Sequence, residues 1–267
     1  MIIVKITGGL GNQMFQYAYA KSLQQRGYKV IINIAKSKKY KLHGGYHLNK
    51  FKIDLKTTTK VSNIQSELGL RQFLKEKSLL FNEANLKIPR NRYVKGYFQT
   101  EKYFKDIRAI LIDQFVLKEK LSDSTIAFSE EINSKENSCS LHVRRGDFIL
   151  DRKTNSIHGT CGLLYYSEAI KLINEKHKNT HFFVFSDDLN WAKQNIKPEN
   201  ATYIDHKVIP HEDQYLMSLC KHNITANSSF SWWGAWLNTN EHKTVIAPKN
   251  WYVHQENEVA CESWIKL

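Results

Sequence analysis

The sequence predicts an α/β protein of two lobes, each built on a parallel sheet, and three observations carry that prediction. The first 34 residues read as strand, helix and strand around a glycine-rich turn. Two later stretches read as buried strands that empty into charged residues: Ser138 to Phe148, an alternating run, and His181 to Asp188, a continuous apolar run of the kind seen in parallel strands covered on both faces. A length of 267 residues exceeds a single domain of roughly 100 to 150 residues, which favours two lobes of similar size.

In the opening unit, Ile2 to Thr7 is the strand, and Gly8-Gly9-Leu10-Gly11-Asn12-Gln13 is the turn. The helix that follows has apolar positions at Met14, Tyr17, Ala18 and Leu23, ends at Gly27, and leads into the strand Lys29 to Ile34. A glycine-rich loop entering a helix can hold an anion on main-chain N–H groups. The dinucleotide fingerprint G-x-G-x-x-G is incomplete, because Gly9 and Gly11 supply its first pair but Met14 stands where the third glycine belongs. The acidic residue expected about 20 residues on is replaced by the amide of Asn33. Nicotinamide binding is therefore not expected. Gly9 and Gly11 instead let a second substrate approach the backbone, with Asn12 as a polar handle; a purely structural turn is the alternative.

Lys36 to His47 reads as a basic surface loop and Val61 to Leu74 has rough helical spacing. Tyr93 to Phe98 reads as a strand, and Glu101 to Ile112 as a helix with Tyr103, Phe104, Ile107 and Leu111 on one side. The helical segment Ser122 to Ser134 is the expected crossing into the second lobe, with the boundary near residue 130.

The second half begins on the run in which Leu141 and Val143 alternate with His142 and Arg144 and which ends in Arg145-Gly146-Asp147, where the glycine permits a sharp turn. Ligands of open α/β sheets sit beyond the carboxyl ends of strands, and a guanidinium fork suits phosphate, so Arg144 is the candidate for holding an anionic donor. A surface Arg–Asp ion pair is the alternative. Asp151 to Cys161 reads as an exposed loop and Tyr165 to His177 as a helix; the strand from His181 then ends in Asp187 and Asp188. Either carboxylate can accept two hydrogen bonds from a guanine edge. One of them can equally cap the helix Leu189 to Asn195. Beyond a helix at Asp213 to Cys220 and a strand at Ile224 to Ala226, Asn227, Ser228 and Ser229 open another helix. Their hydroxyls and the N–H groups there form an anion seat, to which the helix dipole adds about 0.3 to 1 kcal/mol; ordinary capping is the alternative. Trp232, Trp233 and Trp236 are assigned to packing. A last strand runs Lys243 to Ala247, and the tail to Leu267 has too few signals to place, so packing back on the first lobe stays open.

An apolar content of 42%, with 12% of all residues aromatic, suffices for packed cores and argues against long disordered tracts. Lys and Arg number 39 against 26 Asp and Glu, a formal charge of +13, which suits nucleic acid, an anionic membrane face or a phosphorylated small molecule. The lysines are scattered and no zinc-finger or RNA-binding signature accompanies them, so no nucleic-acid partner is expected. Cys139, Cys161, Cys220 and Cys261 form no metal-ligand spacing and are expected as reduced thiols. Neither a signal peptide nor a run of about 18 apolar residues is evident. The expected location is the cytoplasm, at most peripheral on the inner membrane.

Four blocks, Gly8 to Ala18 (GGLGNQMFQYA), His142 to Phe148 (HVRRGDF), Phe183 to Asp188 (FVFSDD) and Asn227 to Leu237 (NSSFSWWGAWL), resemble the bacterial α-1,2-fucosyltransferases of glycosyltransferase family 11. The resemblance implies a GT-B-like fold of two Rossmann-like lobes with a cleft between them, residues 1–130 on the acceptor side and 131–267 holding GDP-fucose. It further implies transfer of L-fucose from GDP-β-L-fucose to the 2-hydroxyl of a terminal galactose, on an oligosaccharide or a lipid-linked surface glycan. Arg144 would grip the β-phosphate, His142 and one of Asp187 and Asp188 would contact guanine, and Asn12, in the loop Gly9, Gly11, Asn12, Gln13, would lie near fucose and acceptor. Asp147 is the candidate general base, with a structural partner of Arg144 or Arg145 as the alternative. No two aspartates stand two apart, so the Asp-x-Asp metal motif is absent and no metal or other cofactor is expected. A protein O-fucosyltransferase-like enzyme and a basic nucleic-acid-binding protein are the alternatives, and loose attachment to anionic lipid is a further expectation.

Overall fold

The computed structural model describes residues 1–39, 44–59, 72–146, 149, 151–205 and 209–267. The chain divides into two compact units, Met1–Glu119 and Lys120–Leu267, each an α/β layer structure on its own parallel sheet. In the first unit the strands β1 (Ile2–Lys5), β2 (Val30–Asn33), β3 (Thr57–Thr58), β4 (Gln72–Lys75) and β5 (Arg92–Lys95) lie in the order β3-β2-β1-β5-β4. All neighbours pair in parallel. β1 is central because Ile2, Ile3 and Val4 leave no surface exposed and fill both faces. The helix α1 (Leu10–Gln25) buries Met14, Tyr17, Ala18 and Leu23 as their spacing predicts, and Phe15, Tyr19 and Ala20 besides.

Three local expectations change. Of the segment Val61 to Leu74, residues 61–71 lie outside the described residues, and its end belongs to β4, a strand in register with Arg92–Lys95 rather than a helix. Four residues at a sheet edge are too few for a period of two to show. Glu101 to Ile112 is two short 3-10 turns, Glu101–Tyr103 and Lys105–Ile107, before the α-helix Arg108–Gln114. The basic loop from Lys36 carries a short helix, Ala35–Lys39.

In the second unit the strands β6 (Asn137–Val143), β7 (Thr180–Ser186), β8 (Ala201–Tyr203), β9 (His222–Ile224), β10 (Val245–Ala247) and β11 (Ile265–Lys266) follow the order β11-β10-β9-β6-β7-β8, again all parallel. One face packs Cys139, Leu141, Val143, Phe182 and Val184 against Tyr166, Ala169 and Ile173 of the helix Leu163–Lys176. The other packs Phe183 and Phe185 against Leu216 and Met217 of the helix Pro210–Leu219 and Ile132 of the helix Asp123–Ser134. A fully buried Val, Leu, Ile, Phe or Met side chain there contributes about 1.5–3 kcal/mol, and burial on both faces is why β7 reads as an apolar run, whereas the second face of β6 buries Ser138, Ser140 and His142. Trp232, Trp233 and Trp236 are packed inside as expected, with Trp232 Nε1 donating to the Val259 carbonyl at 2.6 Å. Within the expected loop 151–161 the residues Arg152–His158 form a helix. The tail, whose place the sequence leaves open, supplies β11 as an edge strand beside β10.

The crossing helix Asp123–Ser134 lies wholly within the second unit, so the division falls ahead of residue 130. Glu212 holds it there: its carboxylate accepts from Ser122 Oγ at 2.5 Å and Thr125 Oγ1 at 2.6 Å, while Ser122 caps the helix. Those hydroxyl bonds keep the Glu212 carboxyl below its ordinary pKa although desolvation pushes the other way. Among the described residues no helix is long and apolar enough to cross a membrane.

Candidate active site

Parallel pairing places β7, β6 and β9 side by side, so the residues that leave their carboxyl ends share one edge of the second sheet. Arg144 follows β6, and Asp187 follows β7. Arg144 Nη1 meets Asp187 Oδ2 at 3.0 Å, and the other carboxylate oxygen of Asp187 accepts the Arg145 main-chain N–H at 2.8 Å. Gly146 has a different role from the sharp turn its presence suggested. A Cβ there would stand 2.6 Å from Asp187 Oδ2, so the bare α-carbon is what lets the carboxylate reach both arginines.

Asp188 caps the helix Leu189–Asn195, accepting from Trp191 N at 3.2 Å, and its second oxygen lies 3.4 Å from Arg145 Nε. The Arg145 guanidinium in turn lies over the Trp191 ring, 3.7 Å from its centroid. Neither Arg145 nor Trp191 stood out as a site residue in the sequence. The available signal was that Trp191 is the third residue after a capping aspartate, and hence folds back over the strand end.

His142, penultimate in β6, is buried, and its Nδ1 has no hydrogen-bond partner among the described residues. Burial pushes its pKa down to about 4, with Arg144 lowering it further and Asp187 opposing, so the ring is neutral near pH 7. A buried nitrogen of this kind calls for a partner. Phe230, in the first turn of the helix Ser229–Leu237, stands with its ring centroid 5.7 Å from that of His142. Ser228 caps the same helix, accepting from Phe230 N at 3.3 Å, and Ser229 is its first residue. Asn227 is occupied otherwise: its Nδ2 donates to the His158 and Gly159 carbonyls at 2.8 and 3.3 Å, and its Oδ1 accepts from Cys161 Sγ at 3.6 Å. It latches the loop 158–161, so the expected donor contact gives way to a structural one. The structure thus brings together His142, Arg144, Asp187, Asp188 and Ser228, while Asp147 lies outside the described residues.

The glycine turn belongs to the first unit. The glycine its backbone requires is Gly8, at φ +84, whereas Gly9 is extended at the helix N-cap and Gly11 is buried within the first turn. Gln13 is fully committed to the fold: Nε2 donates to the Gly8 and Gly45 carbonyls at 2.8 and 2.7 Å, and Oε1 accepts from His47 N at 3.0 Å. It is a staple, not an approach surface. Asn12 is half-buried, and its Oδ1 accepts from Gln99 Nε2 at 2.7 Å. Among the described residues no three His, Cys, Asp or Glu side chains gather as a metal site would need.

The chain is 32% identical, over an alignment of 300 positions, to an alpha-1,2-colitosyltransferase of Escherichia coli, covering 100% of this chain and 99% of the relative. It is 23% identical to the galactoside alpha-(1,2)-fucosyltransferase 1 of Leontopithecus chrysomelas, covering 86% of this chain and 63% of that one. The crystal structure of NodZ alpha-1,6-fucosyltransferase soaked with GDP-fucose matches with a TM-score of 0.52 at 14% identity, over 88% of this chain and 91% of that chain. That likeness is one of fold, the two-unit α/β architecture of the GT-B class. The model of one family, glycosyl transferase family 11, matches residues 1–267, and the chain belongs to that family.

Proposed function

We propose that this glycosyltransferase moves L-fucose from GDP-β-L-fucose to the 2-hydroxyl of a terminal galactose with inversion, giving an α-1,2 linkage in a surface glycan. One observation carries the reading: Arg144, opposed by Asp187, and the Ser228-capped helix leave neighbouring strands at the same sheet edge, with the unpartnered Nδ1 of His142 beside them. Negative charge on GDP grows as the glycosidic bond breaks, so a guanidinium and helix N–H groups aimed at the phosphates stabilise the transition state more than the ground state. His142 and one of Asp187 and Asp188 would meet the guanine. Because the cationic side chain does the work of neutralising charge, the proposed reaction needs no metal. Asp147 is the candidate to accept the proton of the attacking hydroxyl.

A second donor has specific support. The colitosyltransferase relative covers the whole chain, and colitose differs from fucose only in lacking the 3-hydroxyl, so GDP-colitose is the rival. The deciding experiment incubates the protein with each sugar nucleotide and a galactoside panel including lactose, with and without chelator, and determines the product linkage. An α-1,2-fucosylated galactoside formed in chelator is expected; preference for GDP-colitose, transfer only to peptide, or activity that vanishes with divalent ions overturns the reading. The charge of +13 further suits loose attachment to an anionic membrane from the cytoplasmic side, checked by flotation with acidic liposomes at low salt.

A further inference from the structure

Glu76 follows β4 and reaches across to the segment that follows β5. Its Oε2 accepts from Tyr97 N at 2.7 Å and its Oε1 from Phe98 N at 3.0 Å. The glycine between strand and segment makes this possible, because a Cβ on Gly96 would stand 2.6 Å from the Glu76 Cβ. Phe98 is held at φ +53, a left-handed conformation that a bulky residue keeps only where its surroundings over-determine it. Two contacts do so here: the carboxylate on its N–H, and Tyr19 stacked on its ring at 3.7 Å with an interplanar angle of 7°. The next residue is Gln99, whose amide donates to Asn12 Oδ1. With Oδ1 taken, the Asn12 amide is oriented with Nδ2 as its donor, beside Gly8, where a Cβ would come within 2.9 Å of that nitrogen.

We infer that Glu76 is a positioning residue for the transfer reaction: by clamping the main chain at 97 and 98 it sets Gln99, and through Gln99 the direction in which Asn12 offers its N–H to a sugar hydroxyl. The inference rests on the proposed role of Asn12 beside sugar and acceptor. Both Glu76 oxygens are engaged by main-chain amides, so it acts as a holder and not as the proton acceptor. Burial raises its pKa while those two amides pull it down.

The test measures acceptor kinetics with whichever sugar nucleotide is active, alongside GDP affinity. Glu76→Gln, which keeps one acceptor oxygen and puts an NH2 against the other amide, is expected to lower kcat/KM for the galactoside about tenfold, a loss typical of small misplacements. GDP affinity should stay within about twofold, because the donor contacts proposed above lie in the second unit. In an Asn12→Ala background Glu76→Gln should cost nothing further, since residues acting through one contact are not additive. An additive loss there, an unchanged kcat/KM in the single variant, or an equal fall in GDP affinity overturns the inference. If Asn12→Ala alone transfers at the full rate, the reading of Asn12 falls and this inference with it; if only Glu76→Gln is neutral, the inference alone falls. Should Glu76→Gln not fold, Gln99→Leu, which removes the amide bond to Asn12, must show the same acceptor-specific loss.

Discussion

The two units use one architecture, a parallel sheet whose carboxyl end feeds helices, and equip that end in opposite ways. In the first, the polar side chains are tied to main chain or to each other: Gln13 to Gly8, Gly45 and His47, Gln99 to Asn12, and the Glu76 carboxylate to the Tyr97 and Phe98 amides. In the second they are charges held by counter-charges, Arg144 against Asp187 and Arg145 against Asp188. The comparison teaches how a fold divides labour. An edge that receives an anion must carry cations, and cations packed around a buried histidine need carboxylates to hold them in place before the anion arrives. An edge that only has to present a hydroxyl or an amide at the right angle spends its polar groups, the Glu76 carboxylate included, on rigidity.

The sharpest way to break this contrast is Arg144→Ala. It should lower kcat/KM for sugar transfer by about 100- to 1,000-fold, or 2.7–4 kcal/mol, the range for removing one preorganised charge-stabilising donor. A loss under tenfold, measured by GDP release, would remove Arg144 from the role given to it. Next, Gln13→Ala should cost about 1–3 kcal/mol of stability in urea unfolding, because two carbonyls and an N–H lose their partner, and should leave GDP affinity intact; weaker GDP binding would mean the first edge handles charge after all. Gly146→Ala should weaken GDP binding about tenfold, near 1.4 kcal/mol, since its methyl displaces the Asp187 carboxylate that orients Arg144. Unchanged affinity would show that the pair does not prepare the site.

The smallest effect is on acid stability. His142 and His222 are each lowered by burial from an ordinary 6.5 to about 4. Between those values the unfolded chain binds protons that the native protein refuses, so this stability is full above about pH 6.5 and is lost as pH falls toward 4. The melting temperature should drop from pH 7 to pH 5, and His222→Gln, far from the proposed donor contacts, should flatten the slope; an unaltered slope would mean that its burial is not costing protonation.

Much of this was legible in the chain. β1 and β7 are apolar on both faces and β6 alternates Cys139, Leu141 and Val143 with buried Ser138, Ser140 and His142, so their identity as buried strands shows in the sequence, and the polar residues after them mark the edge. Asp188 as a cap and the tryptophans as packing follow from local chemistry. What escaped was long-range. The reason for Gly146 is a carboxylate 41 positions later, the commitment of Asn227 is to carbonyls near residue 158, and Gln13 bonds to a loop more than 30 residues on. β4 is hidden in the sequence for the opposite reason: four residues at a sheet edge carry too little pattern to outvote a nearby helical spacing.

The Glu212 carboxylate, gripping Ser122 and Thr125 from 87 to 90 residues away, has a practical corollary for anyone recombining halves among relatives. A hybrid joined at residue 130 would pair one parent's helix with another parent's glutamate, leaving hydroxyls and a buried carboxylate mismatched. Splicing ahead of Ser122 transfers acid, cap and helix as one inherited cassette, so the second unit can be exchanged without unseating the segment that anchors it.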